Sequence, residues 1–404
     1  MLLFSLSLNA QDTINNYLKT AAENSAGLKA KFNKYMAAMQ RIPQVGALPD
    51  PSFAFGYFIQ PVETRVGPQQ AKLSLTQTFP WFGTLGARKD IATQQAKAKY
   101  EVFEEAKSKL FYEIKSVWYN LYFTNRAIAI TKENITILNT FQKLALIKIE
   151  AGTASSVDEL RIEMELLDLK NQLALLNDKL KMQKIEFKNL LNVSDTFEVI
   201  IPEKLQTDID KLQNYAQLDS IRLNNHLVLQ SEFLQASYEY RQIEARKAGK
   251  PVFSVGIDYT FIGASSNPSL PAGESGKDAI MFPKIGITIP VYRKKYTAMV
   301  KEAVFLQQAE QNNKIDRINI LETLFEKAKV DYNNAVRRLT LHQKQTELAK
   351  KAMRILESEY AANGKNFEEI LRMERQVLMH NLELEKSKTD LNASLAFIDY
   401  LSGR

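Results

Sequence analysis

The sequence predicts a mixed α/β chain, mostly helical, built from two tandem copies of a helix–β-hairpin–long helix–helix unit. Three observations carry this. Eleven of the twelve prolines lie in two windows, Pro43–Pro80 and Pro251–Pro290. Each window is followed by a long stretch with neither Gly nor Pro, Ala87–Ala151 and Val291–Asn363. The two halves register at an offset of 210: Pro80 with Pro290, Val157 with Phe367, Leu191 with Leu401. Such a repeat must be recognised before a fold is assigned, because each copy is one structural unit. A continuous helix over the first breaker-free stretch would reach ~100 Å at the usual rise per residue. Globular helices average about 11–12 residues.

The elements follow in order. Residues 1–10 contain a short apolar run, Leu2–Leu8, then Asn9-Ala10-Gln11, which reads as the end of a secretory signal peptide cleaved after Ala10. The first repeat spans 11–192. Residues 12–41 carry apolar side chains at helical spacing, and Pro43 is expected to end that helix. Residues 52–59 and 71–79 alternate as two strands, with Gln60–Gln70 as the loop. Phe53, Phe55, Tyr57, Leu73, Leu75 and Phe79 mark one face; small and polar residues mark the other. The long helix covers 84–151 and a return helix 153–191, where Leu166, Leu169, Leu173, Leu176 and Leu180 form a coiled-coil seam. Residues 193–210 are a connector with a short strand expected at Phe197–Ile201. The second repeat, 211–404, restarts with a helix to Ala248, strands 252–262 and 281–289, a long helix 291–363 and a return helix 366–401.

Composition bounds the chemistry. The net charge of +7 is spread along the chain without a basic block, which argues against nucleic acid. There is no cysteine, so disulfides, thiol catalysis and a Cys-based zinc site are excluded. His226, His342 and His380 are far apart in sequence with no HExxH, and no glycine-rich phosphate loop is present. No catalytic constellation, metal site or cofactor site is expected; a lone helical His is read as structural.

The strands require a special setting. Each is about nine residues, the length that crosses a bilayer at a tilt. One face is apolar and aromatic, the other small and polar. Four strands cannot close a barrel and would leave two edges unpaired in lipid, so several copies must close together. Lys72, Asp258 and Lys284 fall on the face that would line water. Trp81 and Phe82 follow the strand end, where they suit a membrane interface or a hydrophobic plug at the strand–helix joint.

With these features the chain resembles the TolC-type outer membrane efflux proteins over residues 12–401. The resemblance is carried by the duplicated plan, by LSLTQTFPWFGTLGARKD after the first hairpin, and by the turns KIEAGTASSVDEL and EYAANGKNFEEIL. The first segment is most similar to the CusC- and CzcC-like heavy-metal branch. The resemblance implies a homotrimer: a twelve-stranded barrel in outer-membrane lipid, continuous with an α-helical coiled-coil barrel in the periplasm. It implies an exit duct for efflux with no turnover chemistry, joined through a periplasmic adaptor (membrane fusion protein) to an inner-membrane pump of RND or other type. The connector 193–210 would belong to the equatorial belt.

The turns at Gly152 and Gly364 interrupt the two longest helical stretches, where a reversal needs a residue tolerant of positive φ. The resemblance places them at the periplasmic tip. Ile149, Thr153, Val157, Leu160, Phe367 and Ile370 flank the turns as coiled-coil core or adaptor contacts. Asp158, Glu159, Glu368 and Glu369 begin the return helices, either complementing the helix dipole or ringing the tunnel mouth. Two alternatives stand beside the duct: a soluble coiled-coil scaffold with β-tips, and an adaptor protein.

Overall fold

The computed structural model describes residues 10–207, 209, 218–363 and 367–404. The expected signal segment therefore lies almost wholly outside the described residues. Among the described residues, eight helices and four strands run α1 (Ala10–Asn24), α2 (Ala26–Gly46), β1 (Ser52–Thr64), β2 (Gly67–Phe79), α3 (Thr84–Glu150), α4 (Ser156–Leu191), α5 (Leu218–Asn224), α6 (His226–Ala248), β3 (Val252–Ile262), β4 (Ala279–Thr288), α7 (Arg293–Asn363) and α8 (Phe367–Leu401). No described helix is long and apolar enough to cross a membrane.

The chain divides into two compact units. One holds residues up to Lys31, Val102–Val228 and Arg317–Arg404; the other holds Phe32–Glu101 and Leu229–Asp316.

The second unit contains a four-stranded antiparallel sheet in sequence order, β1-β2-β3-β4. Its register aligns side chains of one kind across strands. Phe53, Leu75 and Ile257 stand in one row; Phe79, Phe253 and Ile287 stand in another. The apolar face is bare: Phe53 is 67% exposed, Ile59 90% and Ile285 69%. A sheet in water buries its apolar face against another layer, and among the described residues no helix covers it.

The first hairpin is tighter than its prolines suggest. Its strands run on to Thr64 and from Gly67, leaving only Arg65 and Val66 as the turn. Pro61 is absorbed by a bulge: residues 58–61 of β1 lie opposite the single Gln70 of β2. Because β1 is an edge strand, its missing N–H costs no ladder bond. The second hairpin keeps a long loop, residues 263–278. That loop carries the length difference between the repeats. Pro51 and Pro251 are offset by 200, Pro80 and Pro290 by 210, so the expected constant offset holds only beyond the hairpin.

The helix expected over 12–41 is two helices. Ser25 ends α1 by donating its N–H to Ala21 and starts α2 by accepting from the Leu28 N–H at 3.2 Å. Asn225 does the same between α5 and α6, its side chain accepting from Leu227 at 3.0 Å. Pro43 does not end α2, which runs to Gly46. So near the C-terminus Pro43 deletes one hydrogen bond, too few to stop the last turn.

The first unit is a helical bundle with several cores. Ile14, Tyr17 and Ala21 of α1 pack with Ile114, Trp118 and Leu121 of α3 and Phe187 and Leu191 of α4. Residues 197–201 form no strand. Phe197, Val199 and Ile201 alternate as expected but pack on this core, and Tyr17 Oη accepts the Ile200 N–H at 2.8 Å. The second repeat builds the corresponding core from Ile221, Val228, Leu321, Phe325, Ile398 and Leu401. A third core joins α3, α4, α7 and α8 through Leu138, Ala145, Ile162, Leu166, Leu169, Tyr360, Phe367 and Ile370.

Candidate functional sites

The first helical turn is a complete C-terminal cap followed by an N-terminal one. Gly152 has φ of 70°. Its N–H donates to Ile149 at 3.0 Å, and the Thr153 N–H donates to Lys148 at 2.8 Å. These two bonds define a Schellman motif, which requires the left-handed conformation that Gly adopts without cost. An added Cβ at Gly152 would meet nothing within 4 Å. The constraint on Gly152 is therefore backbone conformation rather than space. Ser155 then caps α4, its hydroxyl accepting from Val157 at 3.2 Å. Gly364 lies outside the described residues.

The apolar flankers separate into two kinds. Phe367 and Ile370 are 3% and 1% exposed and sit in the core, with Phe367 edge-on to Phe141 and tilted against Tyr360. Ile149 is half-buried. Val157 and Leu160 are 51% and 57% exposed, and Thr153 and Gly152 are exposed. Met164 and Leu167 continue the exposed apolar stripe along α4.

Three of the four acids at the turns are paired within the chain. Arg161 lies 3.5 Å from Asp158 and 3.3 Å from Glu368, two acids at matching positions of the repeats. Glu369 pairs with Arg372, and Glu159 takes no part in these ion pairs. One helical turn further on, Arg375 meets Glu165 at 2.7 Å, again across matching positions. Lys148 Nζ donates to the Tyr360 carbonyl at 2.6 Å and lies over the Tyr360 ring at 4.0 Å. Arg161 stands three residues after Asp158, a spacing that could have flagged it. Its reach to Glu368 depends on helix packing that the sequence does not spell out.

Further into the same unit lie two arrangements that sequence reasoning missed. Glu374 is buried on α8, and the Asn134 side-chain amide donates to it at 2.6 Å. Burial first, then the charge of Glu357, pushes its carboxyl up to about 7. It lines a cleft of ≈540 Å³ with Arg126, Lys350, Arg354 and Glu357. His342 and His380, distant in sequence, are brought to 5.7 Å between ring centroids. Burial, then the neighbouring His342, lowers the pKa of His380. Among the described residues no group of three metal-ligating side chains forms.

In the sheet, the three charged residues expected on the polar face converge. Asp258 is held by Lys72 at 2.7 Å and by Lys284 at 3.2 Å. Ser74, Thr76, Gly256, Thr260 and Gly286 share that face with them. At the joint after β2, Trp81 stacks on Phe253 at 6.0 Å and is half-buried, whereas Phe82 is 82% exposed. Gly83 turns the chain at φ of 75°, and the Ala87 N–H donates to its carbonyl as α3 begins.

Residues 17–193 match the family model described as "Outer membrane efflux protein". Among solved structures, the outer-membrane channel OprN matches with a TM-score of 0.79 at 15% identity, over 97% of this chain and 90% of its own. VceC, an outer membrane protein from Vibrio cholerae, matches at 0.77 and 14% identity, over 96% of each chain. CusC, whose structures concern transmembrane channel formation, matches at 0.77 and 15% identity, over 99% of this chain and 95% of its own. At such identities the structural likeness shows the fold. OprN and CusC fit about equally well, so the fold does not single out the metal branch. No curated protein matches the chain in sequence. The resemblance to outer membrane efflux proteins read from the sequence is borne out by the family match and by the fold.

Proposed function

Taking the chain as an outer membrane efflux protein, we infer that it is the passive exit duct of a tripartite efflux system. The observation that carries this reading is the bare apolar face of the sheet. Its strands are 10–13 residues long, its opposite face is polar, and it has two free edges. In lipid such a sheet is stable only when copies close into a barrel. Three chains would supply twelve strands. The long helices α3, α4, α7 and α8 would form the tunnel, and the turn at Gly152 would lie at its periplasmic mouth. A periplasmic adaptor would engage that end, and an inner-membrane pump would supply the energy. Val157, Leu160 and Thr153 are the exposed candidates for adaptor contact. Phe367 and Ile370 serve the bundle core instead. Of the acids at the turns, Glu368 is the one whose pair bridges two helices, α8 to Arg161 of α4, and release of that pair would let the coiled coils splay at the mouth.

The cargo is tested by deleting the gene and measuring growth against metal ions and antibiotics in parallel. Sensitivity to one class, restored by the wild-type chain, supports the duct. Unchanged growth together with a soluble protein would favour the coiled-coil scaffold.

A further inference from the structure

We propose that Lys72, Asp258 and Lys284 form a collar of net positive charge that makes the duct favour anionic over cationic solutes. The proposal rests on the reading of the sheet as a barrel wall whose polar face lines water. The three residues stand on three neighbouring strands. The register sets Lys72 of β2 beside Thr260, Asp258 of β3 beside Ser74, and Lys284 of β4 beside Gly256. Each carboxylate oxygen of Asp258 is taken by a different ammonium: Oδ2 by Lys72 at 2.7 Å and Oδ1 by Lys284 at 3.2 Å.

The exposures decide which sign a passing solute meets. The Asp258 side chain is 3% exposed, whereas those of Lys72 and Lys284 are 37% and 44% exposed. The negative charge is covered and the positive charges face outward. Two lysines against one aspartate leave one excess positive charge per chain. Their row neighbours on this face are uncharged: Thr260, Ser74, Gly256 and Thr76. Rings of Lys or Arg favour anions in pores, because a passage lined by one sign concentrates the opposite ion. The effect must strengthen as salt falls, since the screening length grows from ≈8 Å at 0.15 M to about 30 Å at 0.01 M.

The test is the reversal potential of the full-length protein in planar lipid bilayers under a KCl gradient. Wild type should pass chloride in preference to potassium. The double variant Lys72→Gln/Lys284→Gln should lower the chloride-to-potassium permeability ratio by about two-fold at low salt, and the difference should shrink at high salt. Asp258→Asn should move the ratio the other way. Lys284→Gln alone retains the Lys72–Asp258 pair and provides a gentler substitution if the double variant assembles poorly. Conducting pores with the same ratio in all variants would overturn the collar and leave the duct standing. A wild-type chain that never conducts would overturn both.

Discussion

Val157 and Phe367 occupy matching positions of the two repeats, as do Leu160 and Ile370, yet the molecule uses them in opposite ways. The first member of each match is exposed at the start of α4; the second is buried at the start of α8. Duplication supplies the same apolar spacing twice, and packing then decides which copy becomes core. At α8 the aromatic rings of Phe141 and Tyr360 receive Phe367. At α4 the inward positions are Ile162, Leu166 and Leu169, one step around the helix, so Val157 and Leu160 are left outside. The start of α8 thus holds the bundle together, and the start of α4 offers a surface.

This contrast can be broken by paired truncations. Phe367→Ala or Ile370→Ala should lose about 2–5 kcal/mol of stability, as large-to-small changes in a close-packed core do. Val157→Ala and Leu160→Ala should stay within about 0.5 kcal/mol while impairing efflux. Thermal melts of detergent-solubilised protein, read beside resistance assays, separate the two. Equal losses of stability at both positions would mean that the first turn is core as well.

A substitution at the turn itself sharpens the same contrast. Gly152→Val forces a β-branched residue into the left-handed region at a cost of about 1–3 kcal/mol, while its Cβ itself meets nothing within 4 Å. Efflux should fall while assembly persists, because the bond from Thr153 to Lys148 depends on this geometry. Loss of assembly would make the turn purely structural.

Glu374 gives the bundle a pH dependence. Its carboxyl is raised from 4.5 to about 7, so the folded state holds a proton that the unfolded chain releases. Its stabilising share is complete below the unfolded value and is lost as pH rises through about 7. Glu374→Gln removes that dependence. Relative to wild type it should be more stable by about 1–2 kcal/mol at pH 8 and equivalent near pH 4.5. His380, whose pKa is lowered, acts in the other direction on the acid side, so each comparison is made at one pH. A wild-type advantage at pH 8 would show that the ionised carboxylate is well accommodated.

A small effect is expected at Arg161. Its ion pairs to Asp158 and Glu368 are partly exposed, and Arg161→Gln should cost about 1 kcal/mol or less. A measurable rise in tip opening, without a change in melting temperature, would separate gating from stability.

Much of this was legible in the sequence because breakers punctuate it. The long helices, the duplication and the polar face carrying Lys72, Asp258 and Lys284 all follow from residue spacing. The failures have specific causes. Pro61 and Pro68 look like loop residues, but one sits in an edge bulge and the other pairs with Glu63 beside a two-residue turn. Phe197, Val199 and Ile201 alternate like a strand, but core packing rather than strand pairing takes up that side of the chain. The convergence of Asp258 with two lysines, of Arg161 with Glu368, and of His342 with His380 joins residues distant in sequence. Only the register of strands and helices brings them together.

Whether this chain works as an outer-membrane duct is read most plainly by membrane fractionation. The protein should stay with outer membranes through salt washes, leave only with detergent, and run as a trimer. Leu75→Arg, on the exposed apolar face of the sheet, should lose this at a cost of about 2–4 kcal/mol per chain. A wild-type protein recovered in the soluble fraction, or a Leu75→Arg variant that assembles normally, would contradict it.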